Sequence, residues 1–268
     1  YLLNYNQILN INLKKISNHN LVKRLSITNI YKLQNKNKKR NYSPFSENLI
    51  DSSINFLNEY ISSFWYNRDN KKFNLLFCNK KSLVQNNFVY GTDRQEILEN
   101  KIESNFLLFE KLYNNISISF GEKENISNFF SSRNYRYQYQ SLSENISIKS
   151  NKTSSFTLEY SFKSKNVSNI EVDLTLHEIG LELSKIISEK SNFQFHCEYI
   201  NIEYSESDNL ILNYELMEGL NIGNNFVWGI NYTNKLKNNL LISLQYSGRK
   251  SENSEIRHVG NMGVTAYF

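Results

Sequence analysis

Glycine, proline and cysteine are scarce in this 268-residue sequence, which contains nine glycines, one proline and two cysteines. Nucleotide-binding folds need glycine in their phosphate-binding loops, and the chain has no GxGxxG or GxxxxGK[ST] run. The two cysteines, Cys78 and Cys197, cannot build a disulfide framework. These absences argue against a nucleotide-binding enzyme and against a small disulfide-bonded domain.

Charge of a single sign is also missing, because the net charge of +5 is the balance of 31 basic and 26 acidic residues. A protein that binds nucleic acid through charge alone is more one-sided, so we expect no nucleic-acid partner. The one basic run, Lys36–Arg40, is interpreted as a solvated loop. No stretch approaches the roughly 20 apolar residues of a transmembrane helix. The sequence starts at Tyr1 without signal-peptide features, which predicts a mature chain or a piece of a longer one.

Motifs that carry catalysis or bind metal are absent as well. The sequence has no HExxH, no GxSxG and no Cys/His group with metal-ligand spacing. We therefore predict that the protein is not an enzyme and uses no cofactor or metal. A hydrolase would have to be built around His177, which precedes Glu178, or around His196, which alternates with Glu198.

Aromatic residues are abundant, with 18 Tyr and 17 Phe, and from about residue 70 apolar and polar residues alternate. The alternation is clearest at 156–163, 226–233 and 240–247. A period of two indicates β-strands. The tyrosines at 135, 137 and 139 are out of phase with Leu142 and Ile146, which predicts a β-bulge near Gln140.

Connections of two kinds separate the alternating runs. Short polar turns are predicted at Asn114-Asn115 and at 151–154, 189–192 and 237–239, and longer polar loops at 121–133, 163–169, 205–225 and 248–257. Tight turns at one end and long loops at the other are typical of outer-membrane β-barrels. The chain length fits about 10 to 14 strands at roughly 20 residues per strand and connection.

The fold prediction is an all-β, antiparallel, up-and-down transmembrane β-barrel, or an arc of a larger one, with barrel strands over residues 71–268. Residues 1–70 are less clear and are predicted to add strands, although 48–60 also fits an amphipathic helix. Alternation alone does not separate a membrane barrel from a soluble β-sandwich, whose apolar face points inward. Three features favour the membrane: long strands, aromatic residues near strand ends, and a terminal strand ending on Phe268.

That last strand carries Met262, Val264, Ala266 and Phe268 on one face, and a terminal aromatic strand of this kind is similar to the signal that bacterial barrel-assembly machinery reads. The aromatic residues placed near strand ends are Tyr199, Tyr204, Tyr214, Phe226, Trp228, Tyr246 and Tyr267.

Several segments of the C-terminal third also resemble the end of large, poorly characterised outer-membrane β-barrel proteins of Bacteroidota. These segments are Glu215–Leu220, Asn225–Trp228, Tyr246–Lys250, Ile256–Gly260 and the final Ala-Tyr-Phe. A weaker similarity extends through Gly121–Asn125 and Ser131–Tyr135, so that the resemblance covers roughly residues 70–268. It implies an integral protein of the bacterial outer membrane, and no substrate or active site.

Two groups of polar residues are the site candidates. Residues predicted to face the barrel lumen are Glu99, Lys101, Glu103, Glu159, Lys163, His196 and Glu198, whose mixed signs suit a wet or side-chain-filled interior. Residues predicted to lie in extracellular loops and to meet lipopolysaccharide phosphates are Arg133, Arg249, Lys250 and Arg257. Expected partners are outer-membrane lipid, lipopolysaccharide and the assembly machinery.

The leading functional hypothesis is a transport, translocation or assembly component that acts as a pore or scaffold without chemistry. The alternative is a surface-exposed binding or adhesion protein anchored by its barrel, which would act through the loops at 205–225 and 121–133.

Overall fold

A computed structural model describes most of the chain. The described residues are 2–13, 22–37, 53–88, 91–109, 111–151, 153–167, 172–205, 209–236 and 239–266. They form one antiparallel sheet of thirteen strands in which each strand pairs with the next along the chain. The predicted all-β, up-and-down architecture and the predicted strand number are therefore confirmed.

The strands are long, most of them 13 to 18 residues. Their bounds are β1 Leu2–Asn12, β2 Leu25–Asn37, β3 Ser53–Tyr66, β4 Phe73–Phe88, β5 Gly91–Leu108, β6 Leu112–Ser127, β7 Tyr135–Asn151, β8 Ser154–Val167, β9 Val172–Ser188, β10 Ser191–Tyr204, β11 Gly223–Leu236, β12 Leu240–Ser251 and β13 Arg257–Ala266. One short helix, α1, spans Leu210–Leu216, and single 3₁₀ turns occur at Val22–Arg24 and Ser131–Arg133.

The sheet has two chemically different faces, because side chains alternate along a strand and paired residues share a face. The outer face is the one that carries Ile118 of β6, Leu158 of β8 and Leu244 of β12, which are large apolar side chains exposed by 41 to 45%. The opposite face, which we call the inner face, is mostly polar and carries α1. An apolar face left exposed over many strands is unusual for a protein surrounded by water.

The N-terminal part continues this sheet, because β3 pairs with both β2 and β4. Residues 53–60 lie in β3, so the helical alternative for this stretch is wrong where the structure describes it. Pairing with β2 and β4 satisfies its backbone groups across the sheet instead of along a helix. The loop prediction for the basic run Lys36–Arg40 is wrong at its start, because Lys36 and Asn37 are the last residues of β2. Pro44 and residues 38–40 lie outside the described residues.

The β-bulge predicted near Gln140 is absent, since β7 keeps one register with β6 and β8 through this position. The tyrosines at 135, 137 and 139 share the inner face with Ser141 and Ser143, while Leu142 and Ile146 lie on the outer face. The change of phase in the sequence therefore arises because aromatic residues lie on the inner face, and the strand itself is regular at this position. A register shift occurs later, between Lys149 and Asn151.

The connections differ at the two ends of the sheet. At one end, the turn end, β7 to β12 are joined in pairs by short connections at 152–153, 189–190 and 237–239, as predicted. The predicted turn at Asn114-Asn115 is wrong, because both residues lie in β6 and the chain turns at 109–111. At the other end, the loop end, strands continue into the polar segments predicted to be loops: β6 reaches Ser127 and β12 reaches Ser251.

Close cross-strand packing appears where glycine faces an aromatic ring. Gly121 of β6 lies opposite Tyr139 of β7 on the inner face. A Cβ placed on Gly121 would meet the carbonyl oxygen of Leu98 and would lie 2.7 Å from the Tyr139 ring. The tyrosine ring therefore covers the glycine backbone, and no larger residue fits between them.

We expect Gly121→Ala to destabilise the folded sheet by about 1–3 kcal/mol, because the added methyl group overpacks this site. Gly260→Ala is the matched control, since a Cβ at Gly260 meets nothing within 4 Å. Urea unfolding of detergent-solubilised protein, followed by tryptophan fluorescence, measures the difference. Equal midpoints for the two variants would contradict the packing described here.

Candidate functional site

The connection between β10 and β11 folds onto the inner face instead of extending away from the sheet. Its helix α1 begins at Asn209, whose side-chain oxygen accepts hydrogen bonds from the backbone N–H groups of Ile211 and Leu212, both at 3.1 Å. The helix ends near Gly219, which has a φ of +77° and donates its N–H to the carbonyl of Tyr214. We call residues 209–222 the inner loop.

Apolar side chains hold one side of the inner loop. Leu212 and Leu216 of α1 are 2% and 0% exposed and belong to one buried cluster with residues of β7 to β10. The strand residues of that cluster are Tyr137, Val167, Val172, Leu174, Leu176, Ile200 and Ile202. This is the hydrophobic core of the described residues, and burying it favours the folded position of the loop.

Charged side chains on β6 and β8 hold the inner loop in place. The Lys165 side chain is 7% exposed, and its Nζ donates to the carbonyl of Leu216 at 2.7 Å and to Glu218 at 2.9 Å. Lys163 also pairs with Glu218, at 2.9 Å, and Lys123 forms an ion pair with Glu215. Partly buried ion pairs with additional hydrogen bonds restrict the loop to one position.

Contacts from β10 to β12 hold the other side of the loop. Tyr204 donates its hydroxyl to Asn213 at 2.5 Å, and Arg249 donates to the carbonyl of Gly219 at 3.3 Å. The fully buried Asn225 donates to the carbonyl of Asn221 at 2.7 Å. Because one short loop contacts β6 on one side and β12 on the other, the sheet curves around it.

Two opposing effects act on the Glu218 carboxyl. Its burial raises the pKa, but the Lys165 and Lys163 charges outweigh burial, so the pKa lies below the ordinary value of 4.5. A lowered pKa means that the ion pairs stabilise the loop at pH values above 4.5 and lose this contribution as the pH falls through the lowered pKa.

All seven residues predicted to face the lumen lie on the inner face, but they do not form one network. Lys101 pairs with Glu103 at 2.8 Å, and Glu99 accepts a hydrogen bond from Tyr139 at 2.7 Å. Lys163 contacts the inner loop. The other three, Glu159, His196 and Glu198, lie on β8 and β10.

Glu159 and Glu198 lie on either side of Gly180 of β9. A Cβ on Gly180 would be 3.4 Å from Glu159 and 3.6 Å from Glu198. Glu178 and Glu182 of β9 share this face, since each is paired with inner-face residues of the adjacent strands. The inner face therefore has an acidic area on β8 to β10, and its basic side chains at 123, 163 and 165 lie against the inner loop.

The two histidines considered for a hydrolase have structural contacts. His177 lies on the outer face, where its ring is 4.9 Å from the Phe162 ring, while its neighbour Glu178 lies on the inner face. His196 lies over Gly229, its cross-strand partner. Among the described residues, no cluster of three His, Cys, Asp or Glu side chains could hold a metal ion. No helix in the described part of the chain is long and apolar enough to span a membrane.

The four basic residues predicted for extracellular loops are not together in loops. Arg133 lies in the β6–β7 connection, paired with Asp93 at 2.8 Å and stacked on the Phe130 ring. Arg249 and Lys250 belong to β12, and Arg257 begins β13. Arg249 and Arg257 are cross-strand partners on the inner face, whereas Lys250 is on the outer face. The loop prediction for 248–257 is wrong at 248–251 and at Arg257, because these polar residues pair as strands.

The outer face carries an apolar belt next to the turn end. On β8 to β12, aromatic rings on adjacent strands form the edge of the belt that is nearer to the loop end. The ring centroids of Tyr199 and Phe226 are 5.1 Å apart. Trp228 and Tyr246 lie beside His258 in the same region. Met262, Val264 and Ala266 are on this face of β13, while Tyr267 and Phe268 lie outside the described residues. Tyr204 and Tyr214 belong to the inner-face region and to α1, not to the belt.

The anchors of the inner loop are the residues that sequence reasoning missed: Lys123, Tyr137, Lys165, Glu215 and Glu218. A local signal for the helix was present, since an N-capping Asn209 precedes leucines at 212 and 216, four residues apart on one helix face. The lysines on β6 and β8 that hold the inner loop are more than 50 residues away from it in the sequence, and no local pattern points to them.

We expect Lys165→Met to release the inner loop, because Glu218 keeps only Lys163 and the Leu216 carbonyl loses its ammonium donor. A loss of about 1–3 kcal/mol corresponds to roughly 5- to 150-fold faster amide hydrogen exchange in α1. Lys190→Met, in the exposed turn after β9, is the control and should leave this exchange unchanged. Equal exchange rates in the two variants would show that the ion pairs do not hold the loop.

Comparisons with known proteins show the fold. No family model matches the chain, and no curated protein matches it. Among solved structures, CdiB from Acinetobacter baumannii is 9% identical, with a TM-score of 0.53 over 100% of this chain and 51% of CdiB. This chain therefore spans about half the length of CdiB.

Two other solved structures are similar at lower TM-scores. The ferric yersiniabactin uptake receptor FyuA from Yersinia pestis is 7% identical, with a TM-score of 0.46 over 92% of this chain and 52% of that one. The translocator domain of autotransporter NalP from Neisseria meningitidis is 10% identical, with a TM-score of 0.36 over 80% of each chain. The fold is that of an outer-membrane β-barrel, and the described part of the chain forms an open arc of thirteen antiparallel strands.

Proposed function

We propose that the chain forms part of the wall of an integral β-barrel of the bacterial outer membrane that transports or translocates material through its interior. The observation that carries this proposal is the exposed apolar belt on the outer face combined with charged side chains on the inner face. A membrane barrel needs this arrangement, since lipid contacts its outside and water its inside.

The inner face supports a passage for polar material. It presents an acidic area on β8 to β10, and the seven candidate residues from Glu99 to Glu198 supply both signs of charge to the lumen wall. The inner loop narrows the passage at the loop end, where its ion pairs and its apolar core hold it against the wall. In this proposal the protein performs no chemistry and needs no cofactor.

Partners follow from the same location. Lipid contacts the outer belt, and lipopolysaccharide phosphates meet the loop end, where Arg133 and Lys250 are the basic candidates from the sequence. Arg249 and Arg257 point to the inner face and are less suited to that role. The barrel-assembly machinery would read β13, with Met262, Val264 and Ala266 on its lipid side, and Phe268 stays part of this proposal from the sequence alone.

A second candidate function is surface binding or adhesion, and one observation favours it. Large apolar side chains are exposed at the loop end in two adjacent connections: Phe129, Phe130, Leu210, Ile211 and Tyr214. The connections are joined by a hydrogen bond of 3.1 Å from Asn209 to the carbonyl of Ser132. Exposed apolar groups clustered on loops are typical of binding surfaces.

The membrane location is tested with neighbouring residues on opposite faces of β8. We expect Leu158→Arg to reduce recovery of folded protein in the outer membrane, because a charge in the lipid-facing belt costs about 2–4 kcal/mol. Thr157→Arg, on the inner face, should be tolerated. Fractionation and the gel-mobility shift on boiling measure both. A soluble protein, or the reverse order of the two variants, would overturn the membrane location.

Transport is tested by conductance in planar bilayers, with protein extracted from its native membrane. We expect open channels, and a larger conductance for Lys165→Met than for Lys190→Met, because the freed inner loop no longer narrows the passage. If the protein acts in adhesion instead, Lys165→Met and Lys190→Met should have the same conductance. Replacing Phe130 and Tyr214 by Ser should then abolish binding of the partner.

A further inference from the structure

The two edge strands of the sheet are unpaired on one side. Within the described residues, β1 pairs only with β2 and β13 only with β12. In an edge strand, every second residue points its backbone N–H and C=O groups away from the one strand with which the edge strand pairs. Hydrocarbon offers these groups no hydrogen-bond partner, so open sheet edges do not occur in the lipid-exposed part of membrane proteins.

Apart from Arg257 at the first position of β13, neither edge carries the features that protect a naturally free edge. Such edges are blocked by charged residues, proline or β-bulges. β1 has the sequence LLNYNQILNIN, without a charged residue or proline, and it pairs with β2 without a register shift. β13 has no charged residue from Val259 to Ala266 and also keeps one register. Both strands are therefore suited to accept a further strand.

Both edges also continue the two faces of the sheet. On β1 the outer face carries Leu3, Tyr5 and Leu9, all at least 50% exposed, and the inner face carries asparagines at 4, 6 and 10. On β13, Met262 and Val264 are outside, while Asn261 and Thr265 are inside. A strand added at either edge would need apolar residues outside and polar residues inside.

Strand direction limits how the edges can be joined. Because every neighbouring pair is antiparallel, strands with odd labels point the same way, and β1 is parallel to β13. Closing this sheet on itself would create a parallel seam, whereas bacterial single-chain outer-membrane barrels have even strand numbers with antiparallel neighbours. A second copy rotated about the membrane normal would place its β1 parallel to β13 of the first copy. Joining two copies of this chain would therefore also create a parallel seam.

We propose, resting on the membrane location above, that β1 and β13 are seams that accept an odd number of antiparallel strands from a segment of the same polypeptide outside residues 1–268. These strands alternate apolar and polar residues and complete a barrel with an even strand number. The comparison with CdiB supports a single-chain source, because this whole chain matches 51% of CdiB, which is one polypeptide.

The seams are tested in the native polypeptide in its own membrane, with Cys78→Ser and Cys197→Ser as background. Cysteines are placed on the inner face in pairs, Asn6 or Asn10 of β1 with Asn261 or Thr265 of β13, and oxidised. The positive control pairs Gln245 with Asn261, which are cross-strand partners. We expect a disulfide in the control and none between β1 and β13.

Amide hydrogen exchange on the same membranes tells a paired edge from an open one. We expect amides of β1 and β13 to exchange within about tenfold of those in β8, because strands on both sides protect them. Three outcomes would overturn the proposal: a β1–β13 disulfide within one chain, a disulfide-linked dimer, or edge amides that exchange much faster than those of β8.

The source of the strands is tested by expressing residues 1–268 alone. We expect its edge amides to exchange at least 100-fold faster than in the native polypeptide, or the product to lose its mobility shift on boiling. Retained protection would assign the strands to another protein and overturn the single-chain source. Fractionation of the same samples reports the membrane location separately, so failure of that proposal is distinguishable from failure of this one.

Discussion

Pairing of the backbone across neighbouring strands is the constraint on which this structure depends. Every strand from β2 to β12 is paired on both sides, and among the described residues the registers shift only close to a strand end, in the pairings of β2 with β3, β7 with β8 and β9 with β10. Once the registers are set, each side chain is assigned to the outer or inner face, because a shift of one residue would exchange the faces. The lipid-like outer belt and the charged inner face are therefore consequences of one hydrogen-bond pattern.

The inner loop adds a second kind of organisation to that sheet. Its leucines create an apolar cluster on a face that is otherwise polar, and its glutamates meet lysines from β8 and β6. Burial of Leu212 and Leu216 supplies the stabilisation, while the ion pairs select one position for the loop. The buried hydrophobic core of the described residues is thus on the inner side of the sheet.

Similarity to CdiB at 9% identity is understandable in these terms. A barrel wall requires alternation and paired backbones, and many sequences satisfy both requirements. The fold therefore says little about the function of this chain. The exposed aromatic loops, the acidic area on β8 to β10 and the two open edges are the features in which this chain can differ from other barrels.

The sequence by itself determined the strand class, the strand number range and the face of each candidate lumen residue, since alternation is a local property read residue by residue. It also located the short connections from β7 to β8, from β9 to β10 and from β11 to β12, where polar residues interrupt two alternating runs. The segments near Gly121 and Arg249 were predicted to be loops, because a polar stretch looks the same whether or not a neighbouring strand pairs with it.

Tertiary structure alone decided what depends on distant partners. The burial of Lys165 requires Glu218 and Leu216, more than 50 residues away, and Arg249 contacts Gly219 only because the sheet curves around the inner loop. Similarly, the tyrosines at 137 and 139 lie on the inner face because of the register of β7, but their contacts there, with Glu215 and Gly121, exist only in the folded sheet. Alternation specifies a face, and the partner across that face is set only when the strands are brought together.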